Sequence, residues 1–251
     1  MLREIRLLTF RRLQLCLRNP TFLFMGVGAP LIYLALFTPL LKNLNLAQLS
    51  GTKNILMLFV PGMLPIIAFS TGLFTGFSII DEIRSDIVER FRVAPISRFS
   101  ILAGYVLFDV FSVFFQSILF VLIAVPFGFQ ANFTGIFILF LLLLLLTVIT
   151  SSLGNALGIF LKSEDRYSPI VYGINLPILL LSGTLLPMWL APKWLKILAY
   201  FNPVFYVVNA SRSLVFEDFT SNSVLYAFAI LTPLAIGTLL LATSAFKKFI
   251  N

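Results

Sequence analysis

The sequence predicts an all-α integral membrane protein, and three observations carry that fold class. Hydrophobic residues make up 59% of the 251 positions and charged residues 11%, against about 45–50% and about 25% in a typical soluble domain. The apolar residues fall in six long continuous runs without period-two alternation, which suits spanning helices and not a barrel. Charges gather in short connections between those runs, with 18 Lys and Arg against 10 Asp and Glu. Mean hydropathy is +1.02. A soluble core cannot hide so much apolar surface, so lipid must bathe much of the exterior.

The chain reads as a single transmembrane domain, 1–251, that opens with an amphipathic interface helix over 1–19. Arg3, Glu4, Arg11, Gln14 and Arg18 share one face of it, and Leu2, Ile5, Leu8, Leu13, Cys16 and Leu17 lie around the other. Arg6 and Arg12 sit at the apolar margins, where long stems are expected to snorkel. Such a helix lies in the membrane interface, held by anionic lipid. It serves as a plain topology anchor or as an elbow that also touches a cytoplasmic partner. Five arginines precede a run long enough to span, so the segment is read as retained and not as a cleavable signal. The expected spans are 20–41, 55–80, 101–125, 133–161, 168–186 and 224–246.

Orientation follows from the basic residues of the connections. Arg3, Arg6, Arg11, Arg12, Arg18, Arg84, Arg90, Arg92, Arg98, Lys162, Arg166, Lys247 and Lys248 fall on one side, and Lys42, Lys53, Lys193, Lys196 and Arg212 on the other. That asymmetry places both termini in the cytoplasm. It also accounts for the net charge of +8 without nucleic acid.

Several chemistries are excluded by residue type. Cys16 is the single cysteine and histidine is absent, which removes an internal disulfide, His-ligated metals and haem, and Ser–His hydrolysis. The chain has no phosphate loop, no His-Glu-x-x-His and no Gly-x-Ser-x-Gly. If ATP drives transport, another polypeptide hydrolyses it.

Three segments carry candidate mechanism. In the connection between the second and third spans, Ile80, Ile83, Ile87, Phe91 and Ala94 recur at helical spacing, and Pro95 ends the pattern. Glu82, Asp86, Glu89, Arg90 and Arg92 lie mostly opposite. A short charged helix with one apolar stripe fits docking into a groove on a partner and, equally, a solvated helix resting on the membrane. Asp109 is the charge clearly inside a span. It is expected to face the bundle interior and find a partner, or be protonated, and tying helices together is favoured over gating a path. The stretch 187–212, with Pro187, Trp189, Trp194, Asn202 and Pro203, is too apolar for a free loop and too broken to span. It predicts short re-entrant or interfacial helices on the outer side, acting as a passive cap or as an outer gate. Gly154 and Gly158 match small-xxx-small spacing, and prolines within spans mark kinks.

These segments together resemble the membrane subunits of type-2 ATP-binding-cassette exporters, over nearly the whole chain. The strongest parts are Arg92-Val-Ala-Pro-Ile-Ser-Arg98, and Leu181-Ser-Gly through Pro187, Trp189-Leu190 and Phe201-Asn-Pro203 to Arg212. The resemblance implies a cytoplasmic coupling helix at 81–94, in which Glu82, Arg84, Asp86, Glu89, Arg90 and Arg92 contact the ATPase and Ile83, Ile87 and Phe91 anchor the docked face. It implies two short re-entrant helices before the last span, and a pathway formed with a second copy or a homologous permease above two ATPase subunits. ATP and magnesium would bind those subunits, leaving this chain without a cofactor and not itself an enzyme. The expected location is a bacterial inner membrane. The short basic segment before Pro20 looks closer to drug- and nodulation-factor-type permeases, moving a hydrophobic or amphipathic substrate outward, than to polysaccharide or lipid-linked glycan permeases. An intramembrane enzyme or an ion-coupled carrier would need polar or ionisable clusters within the spans, and one aspartate without histidine argues against both.

Overall fold

The computed structural model describes residues 1–18, 26–36, 56–85, 87, 97–130, 132–185 and 188–250, with side chains left aside at 189 and 248–250. Every regular element among these residues is helical. They are α1 (Leu2–Arg18), α2 (Gly26–Leu36), α3 (Leu56–Arg84), α4 (Arg98–Ala124), α5 (Phe133–Leu161), α6 (Glu164–Leu181), α7 (Lys193–Ala199), α8 (Pro203–Val215) and α9 (Asn222–Ile250). Short 3-10 turns sit at Val125–Phe127 and Met188–Leu190.

Local sequence sets the helix starts. Ser97 accepts a hydrogen bond from the Ser100 N–H at 3.1 Å and so begins α4. Asn132 and Asn202 do the same for α5 and α8, accepting from Thr134 and Val204 at 3.1 and 3.0 Å. Pro203 occupies the first position of α8, where its missing N–H costs nothing. Lys162 ends α5 in the left-handed region, φ 54°.

The central helix is α3, buried along most of its length, and its largest partner is α5. Their seam is built from glycine on both sides. A Cβ on Gly154 would stand 2.5 Å from the Gly72 carbonyl oxygen, and one on Gly158 would stand 2.8 Å from that of Gly76. Without side chains the two backbones approach closely enough for extended van der Waals contact. The small-xxx-small pair of α5 thus serves packing within the chain. Helices α8 and α9 close the main core, where Met63, Phe120, Leu142, Val204 and Leu231 are buried. A second cluster of Ile79, Leu102, Tyr105, Ile159 and Phe246 fills the end of the bundle near Arg84.

Four helices, α3, α4, α5 and α9, are long and apolar enough to cross a membrane. The expected fourth span, 133–161, coincides with α5. Of the expected first span, 26–36 is a shorter apolar helix and the rest lies outside the described residues. The expected fifth span, 168–186, overlaps α6, which is not among those four helices; α6 begins at Glu164 and takes Glu164, Asp165 and Arg166 into its first turn. Both acids there suit the positive end of the helix dipole, and they shorten the apolar part. The expected coupling helix starts differently too, since α3 runs unbroken through Asp81 to Arg84. Residues 86 and 88–96 lie outside the described set.

Candidate functional site

At the Arg84 end of α3, buried charge joins three helices. Glu82 accepts from Arg12 Nη2 on α1 at 3.4 Å and from the Tyr105 hydroxyl on α4. The Arg12 guanidinium carbon also lies 3.4 Å from the centre of the Tyr105 ring. Arg12 is 7% exposed, so it does not snorkel as its place on the helical wheel predicts. Ile5, Leu8, Thr9, Arg12 and Cys16 turn toward the bundle, while Leu2, Leu7, Phe10 and Leu17 are exposed. The helix therefore puts a basic side chain inward because a carboxylate waits there.

Glu82, expected to contact the ATPase, is 9% exposed and bound by Arg12 and Tyr105. Ile83 is partly buried against the second core cluster. Arg84 is exposed and pairs with Glu164 at the start of α6. Ile87 is half-buried, and Asp86, Glu89, Arg90, Phe91 and Arg92 lie outside the described residues.

Helix α1 also reaches the far side of this connection. The Ser97 N–H donates to Glu4 at 3.3 Å. The N-terminal ammonium, the Ser100 hydroxyl and the Ser97 N–H hold the Glu4 carboxyl below its ordinary value of 4.5. One helix thus touches the chain just before and just after 85–96.

Midway along the bundle, Asp109 is 1% exposed and accepts from the Ser151 hydroxyl on α5. Asn155 donates to the Ser151 carbonyl at 2.8 Å. Further along, the Thr71 hydroxyl donates to Gln116 at 2.8 Å, and the Tyr167 hydroxyl of α6 donates to the Leu73 carbonyl at 2.6 Å. The Ser151–Asp109 bond joins α5 to α4.

At the Leu56 end the chain from Ser182 to Val215 folds over α3. Asn202 donates to the Ile178 carbonyl at 2.9 Å and so fixes the start of α8 against the end of α6. Arg212 donates from Nε to the Leu58 carbonyl at 3.1 Å, and from Nη2 to the carbonyls of Gly183 and Thr184 at 2.8 and 3.1 Å. Ser211 donates to the Pro61 carbonyl at 2.7 Å. Trp194 is exposed on α7, and Pro203 starts α8. Pro187 and the Trp189 side chain lie outside the described set. Short helices are thus present where a broken outer segment was expected.

Sequence reasoning missed Tyr105, Ser151, Ser211 and the inward turn of Arg12. One signal was available: Pro61 and Pro65, four residues apart, leave α3 carbonyls without donors, and α8 carries Ser211 and Arg212 as polar residues in an apolar helix.

Among the described residues the chain is a helical bundle with four helices long and apolar enough to cross a membrane and short helices against one end of α3. Residues 3–216 match the ABC-2 type transporter family, and the chain belongs to it. It is 30% identical over 199 residues to a putative transport permease, ycf38, of Cyanophora paradoxa, covering 78% of this chain and 69% of the relative. The ycf38 protein of Pyropia yezoensis is 28% identical over 218 residues, 85% of this chain and 74% of the relative. A daunorubicin resistance ABC transporter permease protein, DrrB1, of Streptomyces coeruleorubidus is 27% identical over 188 residues, 74% of this chain and 65% of the relative. The chain is a permease subunit of the type-2 class.

Proposed function

We propose that this chain is the transmembrane subunit of an ATP-driven exporter of hydrophobic or amphipathic molecules. The family match across residues 3–216 carries the reading, and the daunorubicin resistance relative supports a drug-like substrate. The chain crosses the membrane six times with both termini in the cytoplasm, 26–36 belonging to the first crossing and α6 to the fifth. The Arg84 end of α3 then faces the cytoplasm of a bacterial inner membrane. ATP and magnesium bind a separate ATPase subunit, and a second copy of this chain or a homologous permease completes the pathway.

The connection after α3 docks on the ATPase through Arg84, Asp86, Ile87, Glu89, Arg90, Phe91 and Arg92. Glu82 instead holds α1 from within, which supports the idea that a push on this connection reaches the bundle. Segment 187–212 covers the outer mouth.

Co-purification with the ATPase encoded beside it tests the docking. Glu89→Arg combined with Arg92→Glu is expected to abolish complex formation and substrate-stimulated hydrolysis. Unchanged binding and stimulation would overturn the assignment. In vesicles holding both subunits, ATP-dependent movement of daunorubicin is expected. Movement of a lipid-linked glycan and not of daunorubicin would favour the glycan branch.

A further inference from the structure

The covering segment is fastened to α3 where the hydrogen bonding of α3 itself fails. Pro65 has no N–H, so the Pro61 carbonyl four residues earlier loses its helical donor. Ser211 supplies one at 2.7 Å. Two further bonds reach the same turns of α3: Arg212 Nε to the Leu58 carbonyl at 3.1 Å, and the Thr184 hydroxyl to the Gly62 carbonyl at 3.2 Å. Arg212 straddles the joint, since its Nη2 holds the carbonyls of Gly183 and Thr184. That turn depends on Gly183 at φ 77°. Gly62 lets it approach: a Cβ there would lie 3.3 Å from Arg212 Nη2 and 3.6 Å from the Thr184 Cα. No ion pair among the described residues includes Arg212. A guanidinium held by carbonyls alone in a low-dielectric setting keeps its place only while all of them stay together.

At its other end, α3 carries Glu82, bound to Arg12 and Tyr105, and Arg84, bound to Glu164. Pro61 and Glu82 are separated by about 30 Å of continuous helix. We propose that the 182–184 turn and α8 form one rigid body with α3, with Arg212 as the positioning residue of the joint. A displacement of the Arg84 end is then delivered directly to the cover. The pathway opens between this body and its neighbours, and the cover does not lift off α3. This deepens the permease reading and rests on it.

A cross-link tests co-movement. In a Cys16→Ser background, Gly62→Cys with Thr184→Cys places two thiols close enough for a disulfide. Vesicles containing the permease and its ATPase are assayed with daunorubicin as the probe, oxidised and then reduced. The oxidised protein is expected to keep more than about half of the reduced rate, because the bond joins parts that never separate. A fall of about tenfold, reversed by reductant, overturns the proposal. Failure of the pair to oxidise also overturns it.

A second measurement stands apart from transport. With Val208→Cys in the same Cys16→Ser background, a buried position of α8 one turn before Arg212, outside-added membrane-impermeant maleimide is expected to label slowly. Arg212→Gln raises that rate about fivefold, and Arg212→Lys restores part of the protection. Equal labelling of all three overturns the joint. If the wild-type complex moves no probe while labelling behaves as expected, the export reading fails and the joint stands.

Discussion

Glu82 and Arg12 are nearly removed from solvent, and each is the other's compensation. Taking one charge away leaves the other buried and unpaired, which costs about 3–5 kcal/mol, whereas replacing both with apolar residues is often close to neutral. Glu82→Gln or Arg12→Met alone should therefore sharply lower the thermal unfolding midpoint of the purified protein in detergent. The double change Arg12→Met with Glu82→Leu should recover most of the loss. Additive losses in that cycle would show that the pair is not an energetic unit. Asp109 allows a milder comparison, because the buried Ser151 hydroxyl looks to it for an acceptor. Asp109→Asn keeps an acceptor oxygen and should be tolerated. Asp109→Leu leaves the Ser151 hydroxyl short of that acceptor and should cost about 1–3 kcal/mol by the same assay.

At the level of elements, α1 owes part of its position to a group that titrates. Glu4 is held below its ordinary pKa by the N-terminal ammonium, the Ser100 hydroxyl and the Ser97 N–H. A carboxyl lowered on folding contributes stability that is full above its unfolded value, 4.5 here, and that fades as pH falls through the folded value. Acidification below that value should loosen the Glu4 end of α1 from the start of α4, seen as faster backbone hydrogen exchange near Ser97. Glu4→Gln should remove the pH dependence while leaving the exchange fast throughout. Helix existence was legible in sequence wherever apolar runs were long: α5 has the bounds that hydropathy alone assigns. Less legible was which way α1 turns, because its wheel carries basic residues on both flanks and only the tertiary position of Glu82 selects Arg12. The helical turn before the apolar run of α6 was also not legible, since Glu164, Asp165 and Arg166 look like a loop until the helix dipole and Arg84 are taken into account.

For the whole molecule, the question left by the fold is what covers α6. Tyr167 and Val171 are its buried residues, and Tyr172, Ile174, Leu176 and Leu180 are exposed. Helix α9 also exposes apolar residues, among them Ile236, Leu240 and Leu241, and lipid solvates those without difficulty. The bare face of α6 differs in how often its ladder is broken, with Pro169 and Pro177 in 18 residues against Pro233 alone in the 29 of α9. Pro177 lacks the N–H that the Gly173 carbonyl would otherwise receive, and nothing stands within 4 Å of a Cβ built on Gly173. A backbone carbonyl that has lost its helical donor is expensive against hydrocarbon. A protein surface or a water-lined path satisfies it better than lipid does, which is what a second permease copy would provide. In a Cys16→Ser background, Gly173→Cys should therefore form a disulfide-linked pair of permease chains in native membranes, seen as doubled mass on a non-reducing gel. Leu240→Cys on the lipid-facing side of α9 should stay monomeric under the same oxidant. Pairing through Leu240→Cys and not through Gly173→Cys would place the second copy against α9 and leave α6 to lipid.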